Sequence, residues 1–217
     1  APDPSLGMSI FSAHKSDKTN RIHFCVAGTS ATNYTGGGKW PRPGNGTLAM
    51  FIDGEPLSTG MVLIPLSGKR VDDQKWHLVG FTYNEITDTL SGFVDGKLTS
   101  AYDPGFSSAD GFKDMFANNN ELVQIGQEWD GSAPTNEFYG YMSNFSIWNK
   151  ALSGIEVEEL YSDGINLGPH DLSDHRSYSF LQAWYRMGHT GDAYNGQIND
   201  VSTNTYHATP VNMQSSD

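Results

Sequence analysis

Apolar and polar residues alternate along the chain in short runs. Ile22, Phe24 and Val26 stand at alternate positions, which predicts a β-strand with one buried face. Similar runs, separated by turn residues, predict strands over Met8–Ser12, Arg21–Ala27, Thr47–Ile52, Met61–Ile64, Trp76–Tyr83, Thr89–Val94, Lys97–Ala101, Leu122–Ile125 and Phe138–Trp148. The dipeptide Asp95-Gly96 between two of these runs is a hairpin turn signal. The pattern is typical of antiparallel β-structure and contains no parallel βαβ rhythm.

One late segment has the signals of a helix instead. Ser153 is followed three residues later by Glu156, which predicts a capping box at the start of a helix that runs to Ser162. Many short strands with a single helix predict an all-β fold, an antiparallel two-sheet jelly-roll sandwich with one short helix.

Composition narrows the class of protein further. The 217 residues carry 13 Lys and Arg against 25 Asp and Glu, a net charge of −12. Such a chain repels phosphate backbones, so we expect no nucleic-acid partner. No apolar run reaches the roughly 20 residues of a membrane span, so we expect no membrane insertion. The first residues show no signal-peptide pattern, so we expect any targeting segment to be absent or already removed.

The single cysteine, Cys25, lies in a predicted strand. It cannot form an intrachain disulfide, and we expect a small buried hydrophobic residue there rather than a reactive thiol.

Four side chains with oxygen donors lie close together after a predicted strand. They are Glu128, Asp130, Asn136 and Glu137. Alternate residues on an extended strand point the same way, so Glu128 and Asp130 can converge on one ion. Calcium takes about six to eight oxygen ligands of these kinds. A solvated acidic loop has the same composition, so both interpretations remain open.

The order of several short motifs resembles a known family. These motifs are Trp76–Leu78, Gly92–Lys97, Val123–Glu128, Phe138–Met142 and Ile147–Ser153. Together they resemble the concanavalin A-like jelly roll of laminin-G-like and pentraxin modules. The resemblance implies a jelly-roll module over residues 1–165, followed by a C-terminal segment over residues 166–217 that completes the sandwich, its own or a neighbouring subunit's.

The pentraxin branch is the closer match, and that resemblance implies a calcium site. Carried over residue by residue, it places the metal ligands at Asn20, Glu128, the carbonyl of Trp129, Asp130 and Asn136, with Glu137 beside them. Thr19 stands where the family has its first Asp, and Asp17 is the nearest carboxylate. Val79 stands where the family has its second cysteine, so the disulfide of that family is missing.

The same fold also carries glycanases, whose active strand reads Glu-X-Asp-X-X-Glu. This chain has Glu128 and Asp130, but Ala133 replaces the last Glu. One acid of the catalytic pair is therefore missing, and we expect no enzyme activity and no catalytic residues.

Aromatic side chains outside the core can stack on sugar rings. Trp40 and Tyr34 lie in a Gly- and Pro-rich segment, and Trp129 lies in the acidic segment. These three are the candidate ligand-binding residues, with local packing as the alternative for both tryptophans. Trp76 and Trp148 fall in predicted strands, where we expect core positions.

The C-terminal segment needs its own explanation. Its strand-like run Leu181–Gly188 and the later Asp200, Ser202 and His207 resemble the segment that normally opens a laminin-G-like module. The sequence of this segment is similar to opening segments in bacterial surface proteins and tailed-phage structural proteins. The tail either closes its own sandwich as a circular permutant, completes a neighbouring subunit, or begins a further module.

The sequence therefore predicts a non-catalytic, calcium-assisted carbohydrate or cell-surface binding module in a larger extracellular or virion assembly. Its expected partners are a glycan or cell-surface ligand and other subunits of that assembly, and its expected location is extracellular or on a virion surface. A structural decoration protein without a ligand is the alternative, and a glycan hydrolase is the lesser one.

Overall fold

The computed structural model of the chain describes residues 7–15, 21–29, 42–53, 62–104, 121–130, 133–161, 172–187 and 196–211. The chain divides into two compact units, Ala1–Tyr139 and Gly140–Asp217. The predicted module boundary after residue 165 stays a prediction, because a division by compactness does not test where the family module ends. The candidate residues Asp17, Asn20, Tyr34 and Trp40 lie outside the described residues.

Strands that are antiparallel to their neighbours make up most of the described part of the first unit. They are β1 (Gly7–Lys15), β2 (Arg21–Ala27), β3 (Thr47–Asp53), β4 (Val62–Arg70), β5 (Val79–Asn84), β6 (Thr89–Val94), β7 (Lys97–Tyr102), β8 (Glu121–Ile125), β9 (Glu128–Asp130) and β10 (Ala133–Thr135). A five-stranded sheet has the order β4-β3-β2-β1-β8, a three-stranded sheet has the order β5-β6-β7, and β9 pairs with β10. The predicted all-β antiparallel architecture is confirmed.

One face of the five-stranded sheet carries the apolar residues that the alternating pattern predicts. Ile22, Phe24 and Val26 are buried there, and the Phe24 ring meets the Phe81 ring of β5 edge to face at 5.2 Å. This face therefore packs on the three-stranded sheet as one layer packs on another in a β-sandwich.

The opposite face of the same sheet is buried as well. His23 pairs with Ser12 on β1 and with Phe51 on β3, and all three side chains are buried. Strand β2 thus has two buried faces, whereas its alternation predicted one. The reason is tertiary, because Glu128 of the β9–β10 hairpin packs on the second face.

The two larger sheets are also joined by hydrogen bonds to one carbonyl group. The hydroxyl groups of Thr99 and Ser100 on β7 donate to the backbone oxygen of Leu66 on β4, at 2.7 and 2.9 Å. Gly92 of β6 lies against the same carbonyl, where a side-chain carbon would stand 2.2 Å from the oxygen. Only a residue without a side chain fits this position.

Strand β5 begins later than the sequence predicted. It starts at Val79, so Trp76 lies in the irregular segment before it and is 50% exposed. The expectation of a core position for Trp76 was therefore wrong. The Arg70–Asp72 ion pair and the hydrogen bond between His77 and Asp73, rather than burial of the indole ring, hold this segment in place.

The second unit contains strand β11 (Phe145–Trp148), helix α1 (Gly154–Tyr161), two short 3₁₀ turns and strand β12 (Leu181–Tyr185). The predicted strand over Phe138–Trp148 is shorter than expected, because only its last four residues pair with β12. The capping box is confirmed, since the backbone N–H of Ser153 donates to the Glu156 carboxylate at 2.8 Å.

The Asp200 motif of the tail folds back onto β12. The buried Asp200 carboxylate accepts hydrogen bonds from the backbone N–H groups of Trp184, Ser202 and Tyr206, each at 2.8 Å. The side chain of Asn204 donates to the carbonyl of Gln182 on the same strand, at 2.9 Å. The tail strand pairs with β11 of its own chain, and closure of the whole sandwich by the tail stays a prediction.

Candidate functional site

The acidic segment folds as the β9–β10 hairpin beside the five-stranded sheet. Glu128 pairs with Thr135 across the hairpin. The backbone of the next residue, Asn136, accepts a hydrogen bond from the Ser9 N–H of β1 at 2.8 Å. This hydrogen bond attaches the end of the hairpin to β1. Glu128, the first residue of the hairpin, is directed at the buried second face of the sheet.

Glu128 is the centre of a polar cluster inside the first unit. Its side chain is 3% exposed, and its Oε2 atom accepts a hydrogen bond from the Asn136 amide nitrogen at 2.7 Å. The Nδ1 atom of His23 lies 3.1 Å from the same oxygen. Asn136 adopts a left-handed conformation at φ 51°, which asparagine tolerates better than most residues and which ends the hairpin here.

His23 is the member of this cluster that sequence reasoning missed. His23 lies between Ile22 and Phe24 on β2, so its side chain points to the opposite face of the strand. Its ring stacks on the Phe51 ring, with ring centroids 5.5 Å apart. The strand period already placed His23 on the face opposite the apolar residues. Only the position of Glu128, far along the chain, gives that face a buried charge.

The charge of Glu128 also affects the neighbouring thiol. Burial raises the pKa of Cys25 far above its ordinary range, and the Glu128 carboxylate raises the pKa further. The thiol is fully buried and stays protonated, so Cys25 is the inert buried residue that the sequence predicted.

The predicted metal ligands are only partly brought together by the described structure. Glu128 and Asn136 are in direct contact, whereas Glu137 is exposed. The backbones of Trp129 and Asp130 form β9, and their side chains lie outside the described residues. Among the described residues, no group of three or more Asp, Glu, His or Cys side chains is arranged to hold a metal.

The chemistry of the two converging donors suits a calcium ion. A carboxylate and an amide oxygen are ligands that calcium prefers, and an imidazole nitrogen is not. The Asn136 amide now presents its nitrogen to Glu128, so it would have to turn to offer its oxygen to an ion. His23 would then remain a hydrogen-bond partner of the carboxylate rather than a ligand.

Comparison with known proteins adds the family context. Residues 16–158 match a laminin-G family model of the concanavalin A-like lectin/glucanases superfamily, which is more than half of the chain. No curated protein matches the chain significantly. Within the described residues, no helix is long and apolar enough to cross a membrane.

Three solved structures resemble this chain at low identity. A "putative carbohydrate binding protein" from Bacteroides ovatus is 15% identical with a TM-score of 0.55, over 95% of this chain and 52% of that chain. The heptameric SAP-like pentraxin from Limulus polyphemus is 16% identical with a TM-score of 0.44, over 74% and 65%. An S-layer domain-containing protein from Clostridium thermocellum is 18% identical with a TM-score of 0.33, over 74% and 66%. The chain spans less than two thirds of each of these three proteins, and the Bacteroides likeness shows a shared fold.

Proposed function

The chain belongs to the concanavalin A-like lectin/glucanases superfamily, as the predicted resemblance implied, and on that premise we propose that it is a non-catalytic carbohydrate-binding module. The superfamily name covers proteins that bind sugars and proteins that cleave them. The burial of the Glu128 side chain is the observation that favours binding over cleavage.

A glycosidase needs a carboxylic acid that can protonate the glycosidic oxygen and a second carboxylate beside it. The Glu128 side chain is 3% exposed, and its Oε2 atom already accepts the Asn136 N–H at 2.7 Å, so it is not placed to reach the oxygen of a glycosidic bond. Ala133 stands where the glycanase pattern has its second glutamate. Both features argue against hydrolysis as the function of this hairpin.

Calcium is a further part of the proposal. Glu128 and Asn136 would hold the ion, together with the Trp129 carbonyl, Asp130, Glu137, Asn20 and Asp17. A bound calcium ion supplies open coordination positions that sugar hydroxyl groups can fill. The chain itself contributes the buried end of the site, where His23 fixes the orientation of the Glu128 carboxylate.

Carbohydrate is the ligand class to test first, because lectins belong to this superfamily and the Bacteroides ovatus relative carries a carbohydrate-binding name. We propose an extracellular or virion-surface location and a place among other subunits of a surface assembly, where a glycan-binding module would meet its ligand. A structural decoration protein of the same fold is the second candidate. Exchange of the β11–β12 pairing between copies would be its route of assembly, and the structure shows this pairing within one chain.

Thermal unfolding in calcium and in excess chelator tests the ion. Calcium at 100 times its Kd stabilises a folded protein by about 2.7 kcal/mol, which corresponds to a rise of roughly 5–10 °C in the midpoint. The double variant Glu128→Gln with Asp130→Asn should lose this rise, and the exposed Glu158→Gln should keep it. A midpoint that is the same in calcium and in chelator would remove calcium from the proposal.

A screen against immobilised glycans tests the ligand class, and release of reducing sugar from any bound glycan tests catalysis. Binding without sugar release is the expected result. Sugar release that disappears in Glu128→Gln would establish a hydrolase instead, and failure to bind any glycan would favour the structural candidate.

A further inference from the structure

The segment between β4 and β5 is held at its first residues by contacts to other parts of the unit. The backbone N–H of Val71 donates to the carbonyl of Gly46 at 2.8 Å. Arg70 donates two hydrogen bonds to the carboxylate of Asp72, at 2.8 and 2.6 Å. The chain therefore leaves β4 in a defined direction.

The last residues of the segment are held by His77. Its Nδ1 atom lies 3.0 Å from Oδ2 of Asp95, and its Nε2 atom lies 2.9 Å from Oδ1 of Asp73. Lys69 donates to Asp95 at 2.7 Å from the other side. The imidazole ring is 8% exposed, so it links the segment to the β6–β7 turn from within the structure.

Asp73 is hydrogen-bonded through only one of its two carboxylate oxygens. Oδ1 accepts hydrogen bonds from His77 and from the Lys75 N–H, at 2.9 and 3.2 Å. Oδ2 faces the Lys75 ammonium group at 3.6 Å, which is longer than a hydrogen bond, and the side chain is 36% exposed. The hydrogen bond from His77 lowers the pKa of Asp73, so the carboxylate is ionised and Oδ2 can accept a hydrogen bond from a hydroxyl group.

Trp76 stands in this fixed segment with half of its surface in water. Among the described residues, its indole ring takes part in no ring stacking, cation–π contact or hydrogen bond. The segment is held by Asp73, His77 and Asp95, so burial of the ring is not what fixes its conformation. Trp76 and Asp73 lie three residues apart in this fixed segment, which therefore carries both an exposed apolar plane and a hydrogen-bond acceptor.

We propose that Trp76 and Asp73 form a sugar-contacting surface for a neutral hexose unit of a glycan, distinct from the Glu128 cluster. The indole stacks on the apolar face of the sugar ring, and Oδ2 of Asp73 accepts a hydrogen bond from a ring hydroxyl next to Lys75. The net charge of −12 favours a neutral sugar over a sialic or uronic acid. This inference rests on the proposed carbohydrate-binding function and adds the surface that makes the contact.

Binding of neutral and acidic glycans to the full chain, followed by titration calorimetry with a neutral glycan that binds, tests the proposal. Trp76→Ala should weaken the affinity by about tenfold, the loss expected when an aromatic contact is removed. Trp76→Phe should restore most of it, because the aromatic plane is kept, and Asp73→Asn should weaken binding too. Ile86→Ala is the matched control, since Ile86 is 95% exposed at the turn between β5 and β6.

The outcomes separate this inference from the proposed function. Wild-type binding that Trp76→Ala leaves unchanged overturns the Trp76 surface and leaves the proposed function standing. A chain that binds no glycan overturns both. Preference for acidic glycans overturns the neutral-sugar assignment, and equal unfolding midpoints of Trp76→Ala and wild type show that any loss is local.

Discussion

The side-chain nitrogen of Asn136 donates to Oε2 of Glu128 at 2.7 Å, at the open end of the β9–β10 hairpin. The same oxygen lies 3.1 Å from His23 on the central strand β2. One carboxylate oxygen therefore joins the two ends of the hairpin to the middle of the five-stranded sheet. Glu128 is part of the core of this unit as well as a candidate metal ligand.

Replacing Glu128 by Ala should lower the free energy of unfolding by about 3 kcal/mol, because it leaves the buried His23 and the Asn136 amide without their shared acceptor. Urea unfolding of the two proteins measures the difference. Glu137→Ala is the control, since its exposed side chain should change stability by less than about 0.5 kcal/mol. Equal losses in the two variants would contradict a structural role for the cluster.

Gly92→Ala should destabilise the first unit by about 1–3 kcal/mol or prevent folding, because the added methyl group would stand 2.2 Å from the Leu66 oxygen. Thermal unfolding measures the effect. Gly80→Ala on the neighbouring strand β5 is the matched control, since nothing lies within 4 Å of its added carbon. If both variants unfold at the wild-type temperature, the close approach of β6 to β4 is not as described.

Asp200→Asn should lower the stability of the second unit by about 2 kcal/mol. The amide of asparagine would turn its own N–H group toward N–H groups that now donate hydrogen bonds to the carboxylate. Three of these donors are backbone N–H groups, which cannot turn away. Urea unfolding followed by tryptophan fluorescence measures the loss, and Trp184 is one of the five tryptophans that contribute to the signal. Thr203 is exposed and lies three residues after Asp200, so Thr203→Ala should leave stability nearly unchanged. A loss of stability as large as that of Asp200→Asn would show that the loop as a whole, and not the carboxylate, is responsible.

The stability contributed by Glu156 should depend on pH. Burial raises its pKa, but hydrogen bonds from Lys150, Ser177 and Ser153 outweigh that effect and hold the pKa well below its ordinary range. A group with a lowered folded-state pKa stabilises the protein above its unfolded pKa, and this contribution is lost as the pH falls. The difference in unfolding free energy between wild type and Glu156→Gln should therefore be largest near neutral pH and shrink below about pH 4.

Urea unfolding of both proteins between about pH 3 and pH 7 measures that difference. The exposed helix residue Glu158 provides the control, because Glu158→Gln should run parallel to wild type over the whole range. A difference in unfolding free energy between wild type and Glu156→Gln that stays constant with pH would show that the charge of the Glu156 carboxylate does not contribute to stability.

Several elements follow from local sequence signals alone. Strands β2 and β6 have the predicted bounds, and the capping box at Ser153 begins helix α1 where expected. Strands β9 and β10 were missed, because three residues each are too few to show a period. The predicted strand over Phe138–Trp148 was too long, because Asn144 has a φ of 55° and ends the extended backbone before Phe145.

The sequence by itself determined the fold class, the order of the longer strands and the position of the helix, because alternation, turn residues and caps are properties of neighbouring residues. Tertiary structure alone decided that His23 contacts Glu128, since the two lie on distant segments and the sequence of neither segment predicts the contact. It also decided that Trp76 is exposed, because the hydrogen bonds of His77 with Asp73 and Asp95 hold the chain in an irregular path before β5 begins. Burial depends on which segments pack together, and that is settled only when the whole chain has folded.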